Sequence, residues 1–110
     1  MSFQVSLTDG ASSDVRTILQ WIEVRSPDGA LSWYRAWQKV MEALRERADK
    51  YGVAPESEDH PEVILQVVFK TRRGRPYRAL FIIRDSNVFL LHVRGPGQNQ
   101  LGPDEIRTPG

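Results

Sequence analysis

Seven basic residues, Lys70, Arg72, Arg73, Arg75, Arg78, Arg84 and Arg94, stand between positions 66 and 94 against a single acid, Asp85. A local excess of this kind is the electrostatic footprint of a surface that holds phosphates. The preceding stretch, residues 53–65, has the opposite sign, with Glu56, Glu58, Asp59 and Glu62 and no base. That acidic stretch, with Pro55 and Pro61 near its ends, reads as a solvated loop and not as a metal site. The chain has no cysteine, which excludes a disulfide scaffold, a thiolate metal site and a thiol nucleophile. Its two histidines, His60 and His92, are too few for a histidine zinc cage without several carboxylates. Neither a metal nor a cofactor is implied.

The cations need strands to carry them. Three apolar, β-branched runs, Val63 to Phe69, Tyr77 to Ile83 and Val88 to Val93, are separated by turn residues at Arg73-Gly74-Arg75-Pro76 and at Asp85-Ser86-Asn87. They predict an antiparallel meander. Alternation puts Arg78, Leu80, Ile82 and Arg84 on one face of the middle strand, with Tyr77, Ala79, Phe81 and Ile83 on the other. The same parity rule groups His92 and Arg94 with Val88 and Leu90, and Lys70 with Gln66, Val68 and Arg72. Lys70, Arg72, Arg78, His92 and Arg94 then converge near one end of the sheet.

Upstream, Phe3, Val5 and Leu7 alternate with polar residues as a half-buried strand does, and Asp9-Gly10 ends the run. Val15, Ile18, Leu19 and Ile22 form one helical stripe, with Ser12 or Ser13 as its cap. Ser26-Pro27-Asp28 restarts a helix that runs to about Tyr51, packing through Trp33, Trp37, Val40, Met41 and Leu44 before Gly52 stops it. The order is β-α-α-β-β-β, an α+β fold with an antiparallel sheet and a helical hairpin on one face. The opposite, helix-free face is the expected place for the cations. From Gly95 the chain reads as a loop, with disorder expected at its end.

With 110 residues and 40% apolar content, the chain is one globular domain, residues 1–52 forming strand and hairpin, 63–94 the basic meander and 95–110 a tail. No apolar run approaches the roughly 20 residues of a membrane span. Met1-Ser2-Phe3-Gln4 opens no secretory signal, so cytoplasm is the expected location.

Lys70-Thr71-Arg72-Arg73-Gly74-Arg75-Pro76-Tyr77-Arg78-Ala79-Leu80-Phe81, followed by Asp85 to Val88 and Leu91-His92-Val93-Arg94, resembles the RelE/ParE superfamily of bacterial type II toxins, the plasmid stabilisation toxins. The resemblance extends over most of residues 3–101, the Tyr-Arg strand and its Leu-His-Val-Arg partner being its most specific part. It implies a RelE-like fold and a ribosome-dependent mRNA endonuclease held inactive by a cognate antitoxin protein. The antitoxin would lie over the apolar groove beside the hairpin and over the basic face. Arg78 matches the arginine that stabilises the cleaved phosphate, and Lys70 and Arg72 match the basic pair implicated in activating the 2′-hydroxyl. Arg73, Arg75 and Arg94 would add phosphate contacts. Cleavage beside a 2′-hydroxyl needs a proton acceptor, a proton donor and cations for the pentacoordinate state, and His92 is the candidate acid or base. The stretch Gly95-Pro96-Gly97-Gln98-Asn99-Gln100 carries no charge where relatives place further site residues. It leaves open the alternatives of a ParE-like inhibitor of DNA gyrase and of a catalytically degenerate interaction module.

Overall fold

The computed structural model describes residues 2–110. The six main elements are β1 (Gln4–Leu7), α1 (Asp9–Arg25), α2 (Pro27–Arg47), β2 (Leu65–Phe69), β3 (Tyr77–Arg84) and β4 (Asn87–Arg94). The β-α-α-β-β-β order and the α+β class are as the sequence predicts. The strands lie in the order β1-β4-β3-β2. The meander is antiparallel, but β1 joins β4 in parallel, so the sheet is mixed and not wholly antiparallel. The helical hairpin together with β2 and β3 lies between β1 and β4 in sequence, a connection long enough to set these two neighbouring strands parallel.

Helix α1 begins earlier than its apolar stripe suggests. Thr8 caps it, its Oγ1 accepting from the Ala11 N–H, so Asp9 and Gly10 form the first turn instead of breaking the chain. The same Oγ1 donates to the Leu90 carbonyl at 2.8 Å, locking the helix start onto β4. Gly10 is required there, since a Cβ would lie 2.9 Å from the Leu91 carbonyl oxygen and 3.0 Å from the His92 ring. Ser26 ends α1 and caps α2, accepting from the Gly29 N–H at 2.9 Å, with Pro27 as the first helical residue. The α-helix gives way to a 3-10 turn at Ala48–Lys50.

The hairpin covers one face of the sheet, as expected. Its core is aromatic where α2 meets β2 and β3. Trp33 and Trp37 stack with centroids 5.9 Å apart, and Trp33 meets Phe69 at 5.6 Å and Tyr77 edge-on at 5.5 Å. Ala79, Phe81, Val88, Leu90 and Val93 complete that core.

The other face is not free. Residues 52–64 and the tail fold over it, and Ala54, Ile64, Leu80, Ile82, Leu91 and Ile106 make a second buried cluster. Gly52 and Ala54 bond to the margin of β2 through Gln66 N–H and the Ile64 carbonyl. Strand β2 therefore starts at Leu65 and not at Val63. The tail is not loop throughout: a 3-10 turn at Pro103–Glu105 delivers Ile106 into the cluster. Short apolar residues spread thinly between Pro and Gly gave no periodicity from which to predict this cover.

Candidate functional site

Arg78 of β3 and Arg94 of β4 are direct cross-strand partners, and Val68 of β2 faces Arg78 from the other side. Lys70 follows one residue beyond the end of β2. Arg72, Arg73 and Arg75 occupy the β2–β3 turn and are exposed. Six of the candidate cations thus gather at one end of the sheet. Their surroundings divide them into two sets.

Arg78 lies against an acid. Its Nη1 donates to Glu56 Oε1 at 2.8 Å and its Nη2 to Glu56 Oε2 at 2.7 Å, with a third bond of 2.9 Å from Nη1 to Gln66 Oε1. The Glu56 side chain is 0% exposed and that of Arg78 is 22% exposed. Glu56 is accordingly no part of a solvated acidic loop. A 3-10 turn at Pro55–Ser57 drops it onto the sheet, where its carboxylate also accepts from the Leu101 N–H. The Arg78 fork holds the Glu56 carboxyl below its usual range, against the opposing effect of burial. Arg78 in turn is held more firmly protonated by Glu56. Two parallel charge-assisted bonds of this kind are strong and directional.

Arg84 makes a similar but wetter pair with Glu62, at 2.9 Å through both Nε and Nη2, and also donates to the Pro109 carbonyl. Arg94 donates to the Asn99 carbonyl at 2.7 Å, so the uncharged stretch after β4 supplies its partner. By contrast Lys70, Arg72, Arg73 and Arg75 form no ion pair among the described residues.

His92 sits elsewhere than parity alone predicts. The register shifts by one residue, Leu80 pairing with His92 and Phe81 with Leu90, which leaves Leu91 as a bulge. Val93 then joins Val88 and Leu90 on the helix side, so His92 and Arg94 do not share their face. The His92 Nδ1 lies 2.9 Å from Asp14 Oδ2, which also accepts from the Val93 N–H at 2.9 Å. Sequence reading missed both carboxylate partners. Asp14 had a signal: it falls within the stripe Ala11, Val15 and Ile18, an acid on the inward side of a helix. Glu56 had none, because only the chain's return over the sheet buries it.

A groove of about 630 Å³ opens between the hairpin and the β2–β3 turn, walled by Ile18, Trp21, Ile22, Trp33, Arg75 and Tyr77. Burial raises the Tyr77 phenol above its ordinary value. Among the described residues no three His, Asp or Glu side chains gather as a metal-holding group, and no helix is long and apolar enough to cross a membrane.

No protein-family model matches the sequence, and no curated protein matches it. A solved chain described as "Chromosomal ParDE TA system from P. aeruginosa" is similar, with a TM-score of 0.62 and 20% identity over 84% of this chain and 95% of that one. The resemblance read from the Tyr77-Arg78 strand and its neighbours is thereby borne out at the level of architecture: this chain has the fold of a component of a ParDE system.

Proposed function

We propose that the chain is the toxin of a type II toxin–antitoxin pair, neutralised by a cognate antitoxin, and that it acts by binding DNA gyrase and not by cutting mRNA. The shared fold with a ParDE chain supports the first part. The observation that carries the second is the Glu56–Arg78 pair. An arginine that stabilises a cleaved phosphate must present its guanidinium to that phosphate. Here both Nη atoms are committed to a carboxylate with no exposed side-chain surface, which would also repel the phosphate. Breaking such a pair from one side costs about 3–5 kcal/mol, more than the 1.5–3 kcal/mol that a hydrogen bond to a charged group typically returns.

A second reading, mRNA cleavage on the ribosome, is favoured by the unpaired Lys70, Arg72, Arg73 and Arg75, with Lys70 and His92 in the proton-transfer roles. The two readings separate in one experiment. The chain is induced without antitoxin, growth is followed, RNA ends are mapped, and the purified protein is added to a gyrase supercoiling assay. Growth arrest with inhibited supercoiling and unchanged RNA ends supports the gyrase reading. New RNA ends that vanish in Arg78→Ala would establish the nuclease instead, and unimpaired growth would count against any toxin.

A further inference from the structure

We infer that the groove between the helical hairpin and the β2–β3 turn is a small-molecule site for an aromatic carboxylate, the carboxylate on Arg75 and the ring among Trp21, Trp33 and Tyr77. This occupant is distinct from an antitoxin segment, and the inference does not depend on the toxin reading.

The charge of the groove is simple. Of the residues that line it only Arg75 is ionised, and no Asp or Glu is among them. Arg75 forms no ion pair among the described residues. Burial raises the Tyr77 phenol, which keeps that wall neutral as well. One cation in an otherwise apolar groove suits one negative charge, whereas a dianionic phosphate would leave a charge unmatched. Guanidinium and carboxylate also match in plane, through two parallel hydrogen bonds.

The groove also holds a donor with nothing to donate to. Trp33 is 2% exposed and lines the groove, and its Nε1 has no hydrogen-bond partner among the described residues. A buried indole N–H ordinarily finds an acceptor. Gln98, another lining residue, accepts the Gly95 N–H through Oε1 at 2.5 Å, which leaves its NH2 as the end that can meet a ligand. Guanidinium, indole and amide all offer donors here, so the missing component is an anion that bears acceptors.

The walls are aromatic and fixed. Trp33 meets Tyr77 edge-on with centroids 5.5 Å apart. Trp21 is 57% exposed, and the Arg25 guanidinium lies over one face of its ring, 3.7 Å from the centroid, so the opposite face is left for a ligand. Two glycines let the remaining walls close in. A Cβ on Gly95 would lie 3.2 Å from the Tyr77 ring, and one on Gly74 would collide with Thr71 Oγ1. The volume of about 630 Å³ falls within the range of about 300–1,000 Å³ typical of small-ligand sites. An alkyl chain would fill the same space but forgo the ring–ring contacts.

The test is isothermal titration calorimetry of the full chain with naphthoate, with its neutral amide naphthamide, and with decanoate. A probe of this size should bind with a dissociation constant on the order of 0.1 mM. Naphthamide should bind about tenfold more weakly through loss of the ion pair, and decanoate about fivefold more weakly through loss of ring contacts. Arg75→Ala should erase the preference for naphthoate over naphthamide and leave naphthamide binding unchanged. Trp21→Ala should weaken both about fivefold. Arg75 and Trp21 are exposed, and circular dichroism checks that these variants fold. In the isotope-labelled chain the Trp33 indole N–H resonance, assigned by loss of the other two in Trp21→Phe and Trp37→Phe, should move downfield with naphthoate as it gains an acceptor. Equal affinity for naphthoate and naphthamide, decanoate binding as tightly as naphthoate, a Trp33 resonance that stays still as the probe binds, or no binding at roughly ten times the expected constant would each overturn the inference. Growth arrest and gyrase inhibition are read in other assays, so this inference and the toxin reading can fail separately.

Discussion

The two faces of the sheet are held by different physics. On the hairpin side, Trp33, Trp37, Phe69, Tyr77 and Phe81 bury large rings against one another and against long helices. Burying a large side chain stabilises by about 1.5–3 kcal/mol, and ring–ring contacts add to it. On the opposite side, irregular chain packs through small aliphatic residues, and directed polar contacts do the positioning: Glu56 to Arg78, Glu62 to Arg84, and His60 to the Ile106 carbonyl at 3.3 Å. A regular helix presents a continuous apolar stripe and needs no such fasteners. A loop and a tail present isolated apolar residues, so ion pairs and backbone bonds must specify where they sit. The difference explains why the basic strand face binds its own acidic loop, while the turn beyond the cover keeps its charges free.

Mutation should separate the two faces. Trp33→Ala, which empties the aromatic cluster, should lower unfolding free energy by about 4 kcal/mol in denaturant titration. Arg78→Met comes next, at about 3 kcal/mol, because it strands the buried Glu56 carboxylate. Adding Glu56→Leu to it should restore most of that loss, since an apolar pair suits the site; no recovery would show that the ion pair also dictates the course of the loop. Ile106→Ala should cost about 2 kcal/mol and leave the hairpin side intact. If the variant instead melts as cooperatively weakened as Trp33→Ala, the two cores are one unit.

Acid should act on the loop-covered face. The Glu56 carboxyl titrates lower in the folded chain than its ordinary value of 4.5. Its contribution is therefore complete above that ordinary value and disappears as pH falls through the lowered folded value. Thermal melts from pH 6 downward should show a stability loss in the wild type that is smaller in Glu56→Gln. Arg84→Ala should have the smallest effect of the series, because its pair with Glu62 is largely solvated. A loss from Arg84→Ala equal to that from Arg78→Met would erase the distinction drawn between them.

Period and punctuation in the sequence determined the element order, the helical hairpin, the three strands of the meander and the clustering of cations at one end of the sheet. These are local properties: a stripe at helical spacing, an alternation, a Ser-Pro restart, a Gly-containing turn. Tertiary structure alone decided which cations stay available. Glu56 lies 22 positions from Arg78 in a stretch with no periodicity, and one bulge at Leu91 reset the parity of His92 and Arg94. Charge is legible residue by residue, but its neutralisation depends on where distant chain returns, and that return is fixed by burial of Ile64, Leu80, Leu91 and Ile106 together.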